Sequence, residues 1–108
     1  RNLISAQANV NFMNPNSGWT PLFHAVNGDY DDAAKLLMMA GADVNIQDSR
    51  GWTALHIALF RGNKKSTNAL RVAGARDDLE NHDNQLPKDI AGILDALMQA
   101  QEREFSAQ

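Results

Sequence analysis

The chain has 108 residues, 44% hydrophobic and 21% charged, with a formal charge of −3 and no Cys. That is room for one domain with a modest core, and the mix excludes a disordered chain and a membrane-spanning one, since no apolar run approaches the ~20 residues a spanning helix needs. The lack of Cys excludes disulfides, Cys-based zinc sites and thiol catalysis, while ten Lys plus Arg, scattered rather than striped among thirteen Asp plus Glu, argue against a phosphate-driven nucleic-acid binder.

Read from its start, the sequence begins in mid-pattern at Arg1, with no basic stretch followed by an apolar run, so an excised piece of a longer array is expected and not a leader peptide. Residues 8–11, ANVN, anticipate ADVN at 42–45 with an offset of 34. Then GWTPLFHAV at 18–26 returns as GWTALHIAL at 51–59, an offset of 33 that Gly41-Ala42 and Gly74-Ala75 also keep. A fixed period of this length marks a repeat architecture. Thr20-Pro21 opens a short helix near 21–27: the threonine oxygen caps it, and proline at the first helical position loses no bond. Leu22, Ala25 and Val26 give that helix one apolar stripe. NGDYDD interrupts the pattern, with Asp31 and Asp32 placed to favour the start of a second helix near 32–40 that Gly41 closes.

The second unit repeats the scheme, with helices near 54–61 and 65–73 separated by RGNKK and closed by Gly74. A fainter third copy, NQLPKDIA, sets Asn84 at the place of Gly51, Leu86-Pro87 at that of Thr53-Ala54 and Ala91 at that of Ala58. It predicts one helix from Pro87 to Gln101 as an end cap, followed by a polar tail. So narrow a stripe on so short a helix builds no core alone. It must be covered by the copies on either side, as in a stacked solenoid.

TPLFHA, KLLMMAGADVN and DSRG, and again TALHIA with RVAGA, resemble the ankyrin repeat, whose pattern is Thr-Pro-Leu-His-x-Ala, a second helix ending near Lys-Leu-Leu, Gly-Ala-Asp-Val-Asn and a turn of Asp-x-x-Gly. The resemblance implies an all-α ankyrin solenoid forming a single domain over 1–108: the end of a preceding repeat at 3–17, repeats at 18–50 and 51–83, and an abbreviated capping repeat with a tail at 84–108. Departures are specific. Phe23 holds the motif His position, with His24 beside it, and ARDD at 75–78 replaces ADVN.

Catalysis finds little support in these residues. His24, His56 and His82 lack a second ligand or base at helical spacing; His56 fits the position whose imidazole braces neighbouring turns. Asp31-Asp32 and Asp77-Asp78 are adjacent and so diverge, as solvated helix starts and turns do. No enzyme activity, metal or cofactor is expected. The resemblance implies instead a protein partner, no nucleic acid or membrane, a monomer, and an intracellular location, cytoplasmic or nuclear. Two readings stand: an interaction module, or a structural or regulatory appendage of a larger enzyme or channel.

Carried over by position, the family's contact edge comprises Pro15, Asn16, Ser17 and Trp19 in one turn and Ser49, Arg50 and Trp52 in the next, with His82, Asp83 and Gln85 in the third. The helix-edge positions are Asn27 with Gly28, and Phe60 with Arg61. Trp19 either contacts a partner or covers the neighbouring turn; Trp52 is expected to project between Arg50 and the Phe60-Arg61 pair, an apolar centre with a basic rim. The resemblance also implies a modification site: Leu37, Asp43, Val44 and Asn45 match the Leu-x5-Asp-Val-Asn pattern of asparaginyl hydroxylation, making Asn45 the candidate acceptor and Asn11 a weaker one.

Overall fold

The computed structural model describes residues 10–93 and 96–100. Among these residues two helix pairs stand out: α1 (Pro21–Asn27) with α2 (Asp31–Met39), and α3 (Ala54–Arg61) with α4 (Lys64–Val72). A 3₁₀ helix follows at Pro87–Ile90. No strand occurs among the described residues.

Local chemistry fixes where each helix starts. Thr20 and Thr53 are extended and accept, through their hydroxyls, from the N–H groups of Phe23 and His56, satisfying donors that the first helical turn leaves open. Asn63 does the same for α4 by accepting from Ser66 N at 3.1 Å. No side chain caps α2, which begins at Tyr30; Asp31 and Asp32 in its first turn oppose the positive end of the helix dipole instead. Gly41 and Gly74 follow the second helices with φ of 96° and 97°.

Helices this short are marginal alone, and their stability comes from packing. Units stack by like elements: α1 lies on α3, α2 on α4, and α3 on the 3₁₀ helix. Leu22, Val26, Ala34 and Leu37 of the first pair join Leu55, Ala58 and Leu70 of the second in one buried cluster, so the core belongs to the interfaces between units rather than to either unit. Phe23 is 1% exposed and its neighbour His24 is exposed, so the substitution at the motif position turns a phenyl ring into the core.

The terminal unit departs from the single helix expected over 87–101. The turn Pro87–Ile90 ends because Ala91 is extended and Gly92 takes φ of 78°, after which Ile93 and residues 96–100 are helical. Gly92 N donates to the carbonyl of Leu59, so this break docks the cap onto α3. Pro87 and Ile90 are buried there. Gln101, the expected end of that helix, lies outside the described residues.

Candidate functional site

The candidate edge is built on three turns that share one construction. Asn14, Asp48 and Asn81 each accept, through a side-chain oxygen, two backbone N–H groups of their own turn: Asn16 and Ser17; Arg50 and Trp52; Asp83 and Gln85. Each also donates its own N–H to the carbonyl of Trp19, Trp52 or Gln85 respectively. These turns then stack. Ser49 N donates to Ser17 O and His82 N donates to Arg50 O, both at 2.9 Å. Stacking this close requires glycine at two places: with φ of 75° and 79°, Gly18 and Gly51 leave no room for a Cβ, which would meet backbone of the next turn at 3.0 Å from Ser49 N and 2.9 Å from Asn81 Cα.

Side chains tie the turns together differently at the two interfaces. Between the second and third turns the link is His56, buried under the helix entrance. Its Nδ1 accepts from Thr53 N at 3.1 Å, so Nε2 carries the hydrogen and donates to the carbonyl of Gln85 at 2.9 Å. Burial holds this imidazole below its ordinary pKa, opposed by the Gln85 bond and the charges of Asp48 and Asp89. Between the first and second turns Phe23 has no such reach. There the link is Trp19, whose indole Nε1 donates to Asp48 Oδ2 at 2.9 Å while its ring packs edge-on to His24, with centroids 4.9 Å apart.

Trp19, Trp52 and Gln85 thus occupy equivalent half-buried positions but are held unequally. Gln85 is engaged by its own turn, its Oε1 accepting from Asn81 Nδ2 and its carbonyl from His56. Trp52 packs against the core, 5.7 Å from the His56 ring and edge-on to Phe60 at 5.8 Å, and its indole nitrogen has no partner among the described residues. It therefore projects less than the sequence suggests. Ser49 and Arg50 are exposed at the turn tip, and the Arg50 guanidinium forms no ion pair among the described residues. Phe60 is half-buried beside Trp52.

Arg61 is committed elsewhere. Its guanidinium grips Asp29 of the preceding pair through Nε and one terminal nitrogen, at 3.4 and 3.0 Å. Asn63 donates to both Asp29 and Asp31, and Ser66 Oγ to Asp31, so the loops between helices are laced across units. Hydrogen bonds from Arg61 and Asn63 hold the Asp29 carboxyl below the usual range, although half of that side chain is exposed and the pair is a surface one. The network joins residues 32 to 35 apart that meet only on stacking, so sequence spacing does not show it; Asp29 itself sits at φ 60°, where its counterpart is Gly62 at 73°. Asn45 is a clip as well: its Oδ1 accepts from Arg76 N at 2.7 Å and its Nδ2 donates to the Gly74 carbonyl at 3.3 Å. Asn11 does the same one unit earlier, accepting from Asp43 N.

A groove of about 1130 Å³ between α2 and α4 was not anticipated; Met39 and Val72, 83% and 89% exposed, stand at one end of it. The run Leu-Leu-Met-Met, wider than a single stripe needs, is the sequence signal for it. No cluster of three potential metal ligands and no helix long and apolar enough to cross a membrane occurs among the described residues.

Residues 1–83 match the family described as ankyrin repeats (3 copies). Human protein phosphatase 1 regulatory subunit 27 is 39% identical over 74 residues, covering 68% of this chain and 48% of that protein. A 63-residue match at 38% identity to human 2-5A-dependent ribonuclease covers 58% of this chain and 8% of that one. In three dimensions the ankyrin repeat domain of Bcl-3, a member of the IkappaB family, superposes with a TM-score of 0.79 at 35% identity, over 82% of this chain and 39% of that one. The chain spans half or less of these relatives. It belongs to the ankyrin repeat family, whose repeats are protein–protein interaction modules and generally non-catalytic.

Proposed function

We propose, the chain being an ankyrin-repeat module, that it binds its protein partner at the second turn, with Trp52 and Phe60 as the apolar centre, Arg50 as the accessible cation, and Ser49 at the tip. The inequality of the two indoles carries this reading. Trp19 is consumed in holding Asp48, which makes it a cover for the next turn, whereas Trp52 presents one face to the core and its polar nitrogen to solvent. Half-buried aromatics with a wet polar edge, fixed at little entropic cost, have the character of interface anchors. Arg61 and Gln85 support that edge from behind through their ties to Asp29 and Asn81.

The test is retention of proteins from a human cell lysate by the 108-residue chain beside two variants. Trp52→Ala is expected to weaken a retained partner by about 30-fold or more, near 2 kcal/mol, and Trp19→Phe to leave affinity unchanged. A partner retained equally by Trp52→Ala places the contact elsewhere. The second reading, a regulatory appendage, draws on the small share of the 2-5A-dependent ribonuclease that the chain covers; on that reading the isolated chain retains no partner.

A further inference from the structure

The residue that organises the third turn differs from its counterpart in the second at one terminal atom. Asp48 and Asn81 sit in the same backbone environment, each beneath the glycine of the preceding turn and each accepting two N–H groups of its own turn through Oδ1. The remaining terminal atom is an oxygen in Asp48, and it accepts the Trp19 indole at 2.9 Å. In Asn81 it is a nitrogen, a donor, already spent on Gln85 Oε1 at 2.9 Å. A donor does not accept from an indole N–H, and Trp52, for which Asn81 holds the place in the repeat that Asp48 holds for Trp19, has no acceptor among the described residues. Every buried side-chain nitrogen or oxygen described has a partner, which puts the unpartnered Trp52 Nε1 at the solvent.

We propose that a partner supplies in trans the carboxylate that Asp48 supplies to Trp19: an Asp or Glu side chain accepts from Trp52 Nε1–H and pairs with Arg50, while a neighbouring apolar residue packs on the Trp52–Phe60 edge. Asn81 is then a specificity determinant, because an acid there would close the site from within. The pair Trp19–Asp48 is the internal precedent for the ligand chemistry. Charge at the edge agrees: Arg50 is unpaired among the described residues, and Asp48 is buried beneath three N–H donors. Asp83, exposed at the third turn tip, is the opposing charge that an acidic residue has to pass. This inference rests on the turn-edge reading of the previous section.

Two measurements test it. With two Trp in the chain, a ¹⁵N spectrum shows two indole resonances, and Trp52 is expected to exchange with water about tenfold or more faster than Trp19, one hydrogen bond's worth of protection. Asn81→Asp is expected to slow Trp52 to the rate of Trp19. Equal rates in the parent chain overturn the proposal. Peptides are then selected from a displayed random library on the parent chain and resynthesised with each Asp or Glu changed to its amide. The carboxylate peptide is expected to bind about tenfold tighter than the amide one, that preference to shrink in both Trp52→Phe and Asn81→Asp, and to vanish when Arg50→Ala is combined with Trp52→Phe. Peptides that depend on Trp52 but bind equally well as amides, or a preference undiminished in Trp52→Phe, sink the carboxylate contact to the indole and leave the edge standing. Peptides indifferent to Trp52→Ala, or no enrichment at all, remove the edge and the inference together.

Discussion

Replacing Asp48 by Asn rebuilds the chemistry of the third turn in the second, and the structure says what it should cost. Asn retains the Oδ1 acceptor, so the bonds from Arg50 N and Trp52 N survive. The lost contact is the charge-assisted bond from Trp19 Nε1, and an amide nitrogen now faces the indole N–H, donor to donor. A hydrogen bond to a charged group contributes about 1.5–3 kcal/mol; at a half-buried site we expect the lower end, about 1–2 kcal/mol. The effect on the whole domain is disproportionate, because stability in a stacked array resides in the interfaces and this is one of very few side-chain links between the first two turns. For a domain of this size each kcal/mol is worth about 4–8 °C in Tm. Thermal and urea melts of the parent, Asp48→Asn, Trp19→Phe and the double variant form a cycle whose coupling energy should be about 1–2 kcal/mol. Additivity to within about 0.5 kcal/mol would falsify the assignment of Trp19 as a structural cover and would return it to the list of contact residues.

Leu55, fully buried between α1 and the terminal cap, should cost about 2–5 kcal/mol as Ala, enough to unfold so short an array; a variant melting like the parent would contradict the stacked core. His56 is held below its ordinary pKa by burial, so the unfolded chain takes up a proton near pH 6.5 before the folded one does, and stability present above that pH is lost as the pH falls below it. Melting measured from pH 7.5 to 5 should show this loss, and His56→Gln should flatten it; an unchanged slope assigns the loss to other groups. Asn45 remains a proposed hydroxylation acceptor with both ends of its amide engaged across units, so an asparaginyl hydroxylase should add one oxygen to the Asn45 peptide only where that turn opens, and no added mass after incubation removes the site.

What could be read in the sequence was whatever the repeat enforces at every copy. Thr20 and Thr53 as caps, and Leu22, Ala25 and Val26 as one buried stripe, follow from short-range chemistry that the period then repeats, while His56 as a brace comes from the family resemblance. The terminal unit resisted because the backbone turns at Ala91–Gly92, where Gly92 N donates to the Leu59 carbonyl, and nothing local to Pro87 announces that tertiary bond. Arg61 looked like part of a basic rim because its partner, Asp29, lies 32 residues away and becomes adjacent only on stacking. The two tryptophans make the sharper case. They stand in matching positions of the repeat, and the sequence leaves Trp19 open between contact and cover while tilting Trp52 toward contact through its neighbours Phe60 and Arg61. What separates them is an acid at 48, which reaches the Trp19 indole across a unit boundary, and an amide at the equivalent position 81, which bonds Gln85 instead. In a repeat protein the copied positions report the fold, while function is written where copies disagree; here the disagreement is an acid at 48 against an amide at 81.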